Sequence, residues 1–146
     1  MFDICVDTLV HESGPSQIEI NLNHGDPLKL ADQTFMFKRA VRQVALKHGI
    51  HATFMAKPHQ GQPGSSMHIH QNLVSTKDHK NIFTDLDGKE TKAFYQYIGG
   101  LQEYLPDAMV FFAPYVNSYR RFVMHSSAPI NTHWGFENRT VGLRVP

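Results

Sequence analysis

Residues 17–23 read QIEINLN, with polar and apolar side chains in strict alternation. Successive side chains of an extended strand point to opposite faces. Ile18, Ile20 and Leu22 therefore share one face, and Gln17, Glu19, Asn21 and Asn23 the other, which predicts a strand with an apolar back and a polar front. Asp26-Pro27 then offers an N-cap followed by a proline at the first helical position. Leu30, Phe37, Val41, Val44 and Ala45 recur at helical spacing, opposite Lys29, Gln33, Arg39, Gln43 and Lys47, and Gly49 supplies a stop. Strands are predicted over 51–58 and 67–73, on either side of a loop holding Gly61, Pro63 and Gly64, and over 81–84 before a turn at Asp87-Gly88. A second helix is predicted from about Thr91 to Tyr104. Its Gly99-Gly100 pair costs roughly 1 kcal/mol per glycine in propensity, so another backbone is expected to pack there. Residues 106–112 predict an apolar helix, and 129–132 and 139–145 two more strands. With no βαβ rhythm, the fold class is α+β, an antiparallel sheet with packed helices.

Composition narrows the function classes. The 146 residues suffice for one modest domain, and 41% hydrophobic with 18% charged residues is ordinary globular material. A net charge of +1 and no basic run longer than Arg120-Arg121 argue against nucleic acid as a partner. No apolar run is long enough to cross a bilayer, and the N-terminus does not read as a signal peptide. A single cysteine, Cys5, excludes an internal disulfide and fits a reducing cytoplasm.

Several patches carry candidate chemistry. Glu12 and Glu19 flank a turn-like Ser13-Gly14-Pro15-Ser16, and two carboxylates on neighbouring strands suit Mg²⁺ or Mn²⁺. Taken alone, such a pair is more often two solvated glutamates. His68 and His70, two apart in a predicted strand, would face one site just past the glycine loop, although an isolated HxH is a weak signal. Arg120-Arg121, Arg139 and Arg144 offer guanidinium forks for carboxylate or phosphate. The odd spacing of Arg139 and Arg144 would put them on opposite faces of an ideal strand. No P-loop pattern and no nucleophile–base pair stands out, so the inventory reads as metal-assisted phosphate chemistry.

Four ordered blocks, ATFMAKP from Ala52, GSSMHIH from Gly64, APYVNSYRRF from Ala113 and NRTVGLRVP from Asn138, resemble the glutamine synthetase family. The resemblance runs from about His11 to Pro146. It implies a curved antiparallel sheet with helices packed on it. It also implies that residues 1–146 are a partial catalytic domain, without the family's N-terminal β-grasp domain and C-terminal remainder. Matched to the motifs, Glu12 and Glu19 would be carboxylates of one metal site, and His68 a ligand of the metal serving the nucleotide phosphates. His70, Asn72, Arg139 and Arg144 would lie at the nucleotide, the two arginines acting on the transferred phosphoryl group. Gly64 and Arg121 would hold glutamate. The implied partners are ATP, glutamate and an amine or ammonia, in a homo-oligomer when full-length. The implied activity is an ATP-dependent carboxylate–amine ligase. The alternative is a non-catalytic folded remnant that binds metal or nucleotide weakly or self-associates. Pro63, Asn72 and Ser127 depart from the glutamine-forming pattern, and the wording PGSSMHIH and HWGFENRTVGLRVP is similar to γ-glutamyl-polyamine and γ-glutamyl-amine ligases. The reading further expects Glu12, Glu19, His68 and His70 on one side of the sheet.

Overall fold

A computed structural model describes residues 4–124, 126 and 128–146. The chain divides into two compact units, Met1–Ser65 and Ser66–Pro146.

In the first unit, β1 (Val6–His11) pairs antiparallel with β2 (Ile18–Leu22), placing Val10 opposite Glu19 and His11 opposite Ile18. The Glu12 amide donates to the Gln17 carbonyl at 2.9 Å and carries the ladder one pair further. Between Val6 and Thr8 the register shifts and leaves Asp7 as the extra residue of a bulge. The predicted alternation of residues 17–23 is thus realised in β2.

Helix α1 (Pro27–Lys47) has the boundaries its signals imply. The Asp26 carboxylate accepts from the Lys29 amide at 3.0 Å, and Pro27 needs no partner for an N–H it does not have. At the other end Gly49 sits at φ 71, its amide donating to the Leu46 carbonyl and that of Ile50 to the Ala45 carbonyl, both at 3.1 Å. These are the two bonds of a Schellman cap. Alanine at position 49 would have to adopt the left-handed region. Gly49→Ala is expected to destabilise the protein by about 1–2 kcal/mol, read as a lower urea midpoint at unchanged slope. Along the predicted stripe Ala45 is buried, and Phe37 meets Phe54 edge-on at 5.9 Å. Lys38 and Arg42 lie over the same Phe54 ring, at 5.8 and 5.1 Å from its centroid. The predicted strand over 51–58 does not form. A strand needs a partner ladder, and the backbone bond of this segment is a loop closure, Ser65 amide to Ala56 carbonyl at 2.8 Å.

The second unit contains α2 (Lys92–Tyr104), α3 (Met109–Phe112), α4 (Val116–Tyr119), β3 (Trp134–Phe136) and β4 (Leu143–Val145). Thr91 caps α2 by accepting from the Phe94 amide at 3.3 Å. Phe94 and Ile98 are buried on its inner face. Around Phe94 stand Phe83 at 6.0 Å, Tyr95 at 5.1 Å, Trp134 at 5.9 Å and Phe136 at 6.4 Å between ring centroids. The predicted turn at Asp87-Gly88 is present, Gly88 at φ 77 with its amide on the Asp85 carbonyl at 3.2 Å.

Six expectations for this unit are corrected. Among the described residues no backbone packs on Gly99 or Gly100: a Cβ built on either would meet nothing within 4 Å. The apolar helix over 106–112 shortens to α3, with Pro106 in the preceding turn. The strands expected over 67–73 and 129–132 do not form, and 81–84 is reduced to the isolated bridges Val74–Asn81 and Thr84–Glu90. The strand expected over 139–145 shrinks to β4, which pairs with β3 in parallel. The α+β class stands. Its strands form one antiparallel and one parallel two-stranded sheet among the described residues. No helix among the described residues is long and apolar enough to cross a membrane.

Candidate active site

The first unit brings part of the site together. Paired residues of an antiparallel ladder point to the same face. With Val10 opposite Glu19 and Glu12 opposite Gln17, the side chains of Glu12, Gln17 and Glu19 therefore share one face. Asn21 continues that face, its side-chain amide donating to the Thr8 hydroxyl at 2.9 Å. Glu12 and Glu19 are diagonal neighbours, which puts their Cα atoms about 7–8 Å apart. Both are half-buried. Among the described residues, the Glu12 carboxylate accepts from the adjacent Ser13 amide, at a long 3.4 Å. Two hard oxygen donors so weakly engaged fit part of the shell of Mg²⁺ or Mn²⁺.

Gln17 joins this face to the glycine loop. Its side-chain oxygen accepts from the Gly14 amide at 3.0 Å, and its side-chain nitrogen donates to the Gly64 carbonyl at 2.9 Å. The loop beneath Gly64 is closed by the Ser65–Ala56 bond and stiffened by the Lys57 ammonium, which donates to the Gln62 carbonyl at 2.5 Å. In the sequence Gln17 stands on the polar face of the predicted strand and carries no motif of its own. The available signal was its period-2 phase with Glu19.

In the second unit His68, His70 and Asn72 are exposed on a segment outside any strand. The alternation that predicted one face for the two histidines has no ladder to enforce it. Gln71, between His70 and Asn72, accepts a hydrogen bond from the Tyr97 hydroxyl of α2. Arg121 follows α4, half-buried. Desolvation by burial lowers its pKa from the ordinary guanidinium value. A half-buried guanidinium suits a carboxylate or phosphate ligand.

Arg139 lies in the connection between β3 and β4, not in a strand, so the odd-spacing argument against Arg144 lapses. That connection opens with Glu137 at φ 48, and the Asn138 side chain accepts from both the amide and the hydroxyl of Thr140, at 2.9 and 2.7 Å. Arg144 is exposed in β4 opposite Gly135, which has no side chain to crowd it. Among the described residues no three His, Cys, Asp or Glu side chains converge as a metal site. Ser127 lies outside the described residues.

The family model for the glutamine synthetase catalytic domain matches residues 1–146. Gamma-glutamylputrescine synthetase PuuA of Escherichia coli is 42% identical over 144 residues, 98% of this chain and 30% of that protein. A glutamine synthetase of Pyrococcus horikoshii is also 42% identical, over 145 residues, 99% of this chain and 32% of that protein. A solved structure described as apo GmaS without ligand superposes with a TM-score of 0.84 at 30% identity, over 97% of this chain and 33% of that one. The chain thus spans about a third of the length of the relatives it matches. The chain belongs to the family of the glutamine synthetase catalytic domain.

Proposed function

We propose that the protein is an ATP-dependent carboxylate–amine ligase acting on glutamate. The γ-phosphoryl group of ATP passes to a side-chain carboxylate oxygen and ADP leaves. An amine nitrogen then attacks the acyl carbon, forming the amide and releasing phosphate and a proton. The observation that carries the reading is the shared face of Glu12 and Glu19 with Gly64 held against it by Gln17, in a chain matched throughout by the family model. Glu12 and Glu19 would hold one divalent cation and His68 would serve a second. Such ions, when bound, neutralise phosphate charge. His70 and Asn72 would lie at the nucleotide, Arg121 would take a glutamate carboxylate, and Arg139 and Arg144 the moving phosphoryl group.

A glutamine synthetase and a gamma-glutamylputrescine synthetase are equally similar to the chain, so the acceptor must be argued from residues. Pro63 and Ser127, in place of the asparagine and glutamate of the glutamine-forming pattern, support an organic amine such as a polyamine. Exposed apolar side chains, among them Phe111 and Val116, support self-association. In the longer relatives' frame, β1 and β2 would be two strands of a curved sheet. The test is phosphate release by the full gene product with ATP, Mg²⁺, glutamate and, in turn, ammonia, putrescine and ethanolamine. Release is expected to need both glutamate and an amine, with an organic amine preferred. Release indifferent to either would overturn the reading, and no release would favour a non-catalytic module. Residues 1–146 assayed by themselves are expected to show no turnover, because among the described residues no three donors converge.

A further inference from the structure

We infer that Gln17 is a positioning residue whose side-chain amide locks the glycine loop, and Gly64 with it, onto the carboxylate face. The lock stands independently of the ligase reading, and only its bearing on the site rests on that reading. The amide can serve in one orientation only: Gly14 presents an N–H and so needs the side-chain oxygen, while Gly64 presents a carbonyl and so needs the nitrogen. Both of its ends are engaged, and it stands in the same register face as Glu12 and Glu19.

The lock also explains Gly14, which is buried. A Cβ on Gly14 would come within 2.5 Å of the Gln17 side-chain oxygen and 3.1 Å of its Cβ. Gly14 is thus required by Gln17, and each residue can be removed to test the other. Gln17→Met keeps the length of the side chain and removes both hydrogen bonds. Gly14→Ala keeps the amide and displaces it. One hydrogen bond is worth about 0.5–1.5 kcal/mol net. Amide exchange at Ser65, the neck of the loop, is therefore expected to quicken about 3- to 10-fold in either variant, with α1 amides unchanged. The Gly14→Ala/Gln17→Met double variant is expected to be no faster than Gln17→Met alone, since the two changes break one device. Unchanged exchange at Ser65 in both single variants, or additive effects in the double variant, would overturn the lock.

A second arm addresses the site itself. In the wild-type chain, Mn²⁺ bound by the carboxylates is expected to broaden the Gly64 amide resonance together with those of Glu12 and Glu19. In Gln17→Met the strand resonances should still broaden and Gly64 should not. Equal broadening of Gly64 in both proteins would overturn the positioning role. Absence of broadening at Glu12 and Glu19 in the wild-type chain would count against the metal reading alone, and the exchange cycle would still decide Gln17.

Discussion

Phe94→Ala is expected to unfold the second unit, or to leave it barely folded, at a cost of about 3–5 kcal/mol. Phe94 is 7% exposed, one of few buried apolar side chains among the described residues. Phe83, Tyr95, Trp134 and Phe136 surround it, so truncation leaves a cavity that four rigid rings cannot close without losing their edge contacts. Domain stability is only about 5–15 kcal/mol in total, and this core is sparse. The single tryptophan, Trp134, stands 5.9 Å from Phe94 and reports the change directly. Its fluorescence is expected to shift towards that of the urea-unfolded protein, with a large drop in midpoint. Phe94→Leu, which keeps most of the volume, is expected to lose much less. A midpoint within experimental error of wild type for the alanine variant would show that the ring cluster does not hold the unit together.

The second large effect concerns charge rather than packing. Wild-type chain is expected to bind Mn²⁺ saturably but weakly, no tighter than micromolar, because Glu12 and Glu19 supply only part of a six-oxygen shell. Glu12→Gln/Glu19→Gln keeps the shape of both side chains and removes both charges. Loss of an outer-shell partner alone commonly weakens a metal site by about 10–100-fold, so losing two direct carboxylates should exceed that and abolish saturable binding. Glu103→Gln, on the exposed side of α2, serves as the control and should change nothing. Water-proton relaxation during Mn²⁺ titration measures all three. Equal binding by the wild-type and doubly substituted chains would remove the carboxylate pair from the site.

Elements whose signals are local were legible from the residues. Asp26, Pro27 and Gly49 bounded α1 because caps act within one turn of the helix they close. Thr91 did the same for α2, Asp87-Gly88 for its turn, and the alternation of residues 17–23 for β2. The motif blocks were legible as well, since family membership is carried by residue identity at fixed order. Segments 51–58 and 67–73 have strand-like composition but no ladder. Whether an extended segment becomes a strand depends on a partner far away in sequence, which its own periodicity cannot supply. The parallel pairing of β3 with β4 was hidden for the same reason.

The candidate site divides along the same line. By itself the sequence determined which side chains are available: two carboxylates in β-phase, two histidines, three arginines and a glycine loop. Only the tertiary structure decided that Gly64 rests on the carboxylate face, through a glutamine 47 residues earlier in the chain. It also decided that Arg139 leaves the strand for a turn and that the Arg121 guanidinium is half-buried. Hydrogen bonds between distant segments and the desolvation of a charge are properties of closure in three dimensions, and no local pattern of residues encodes them.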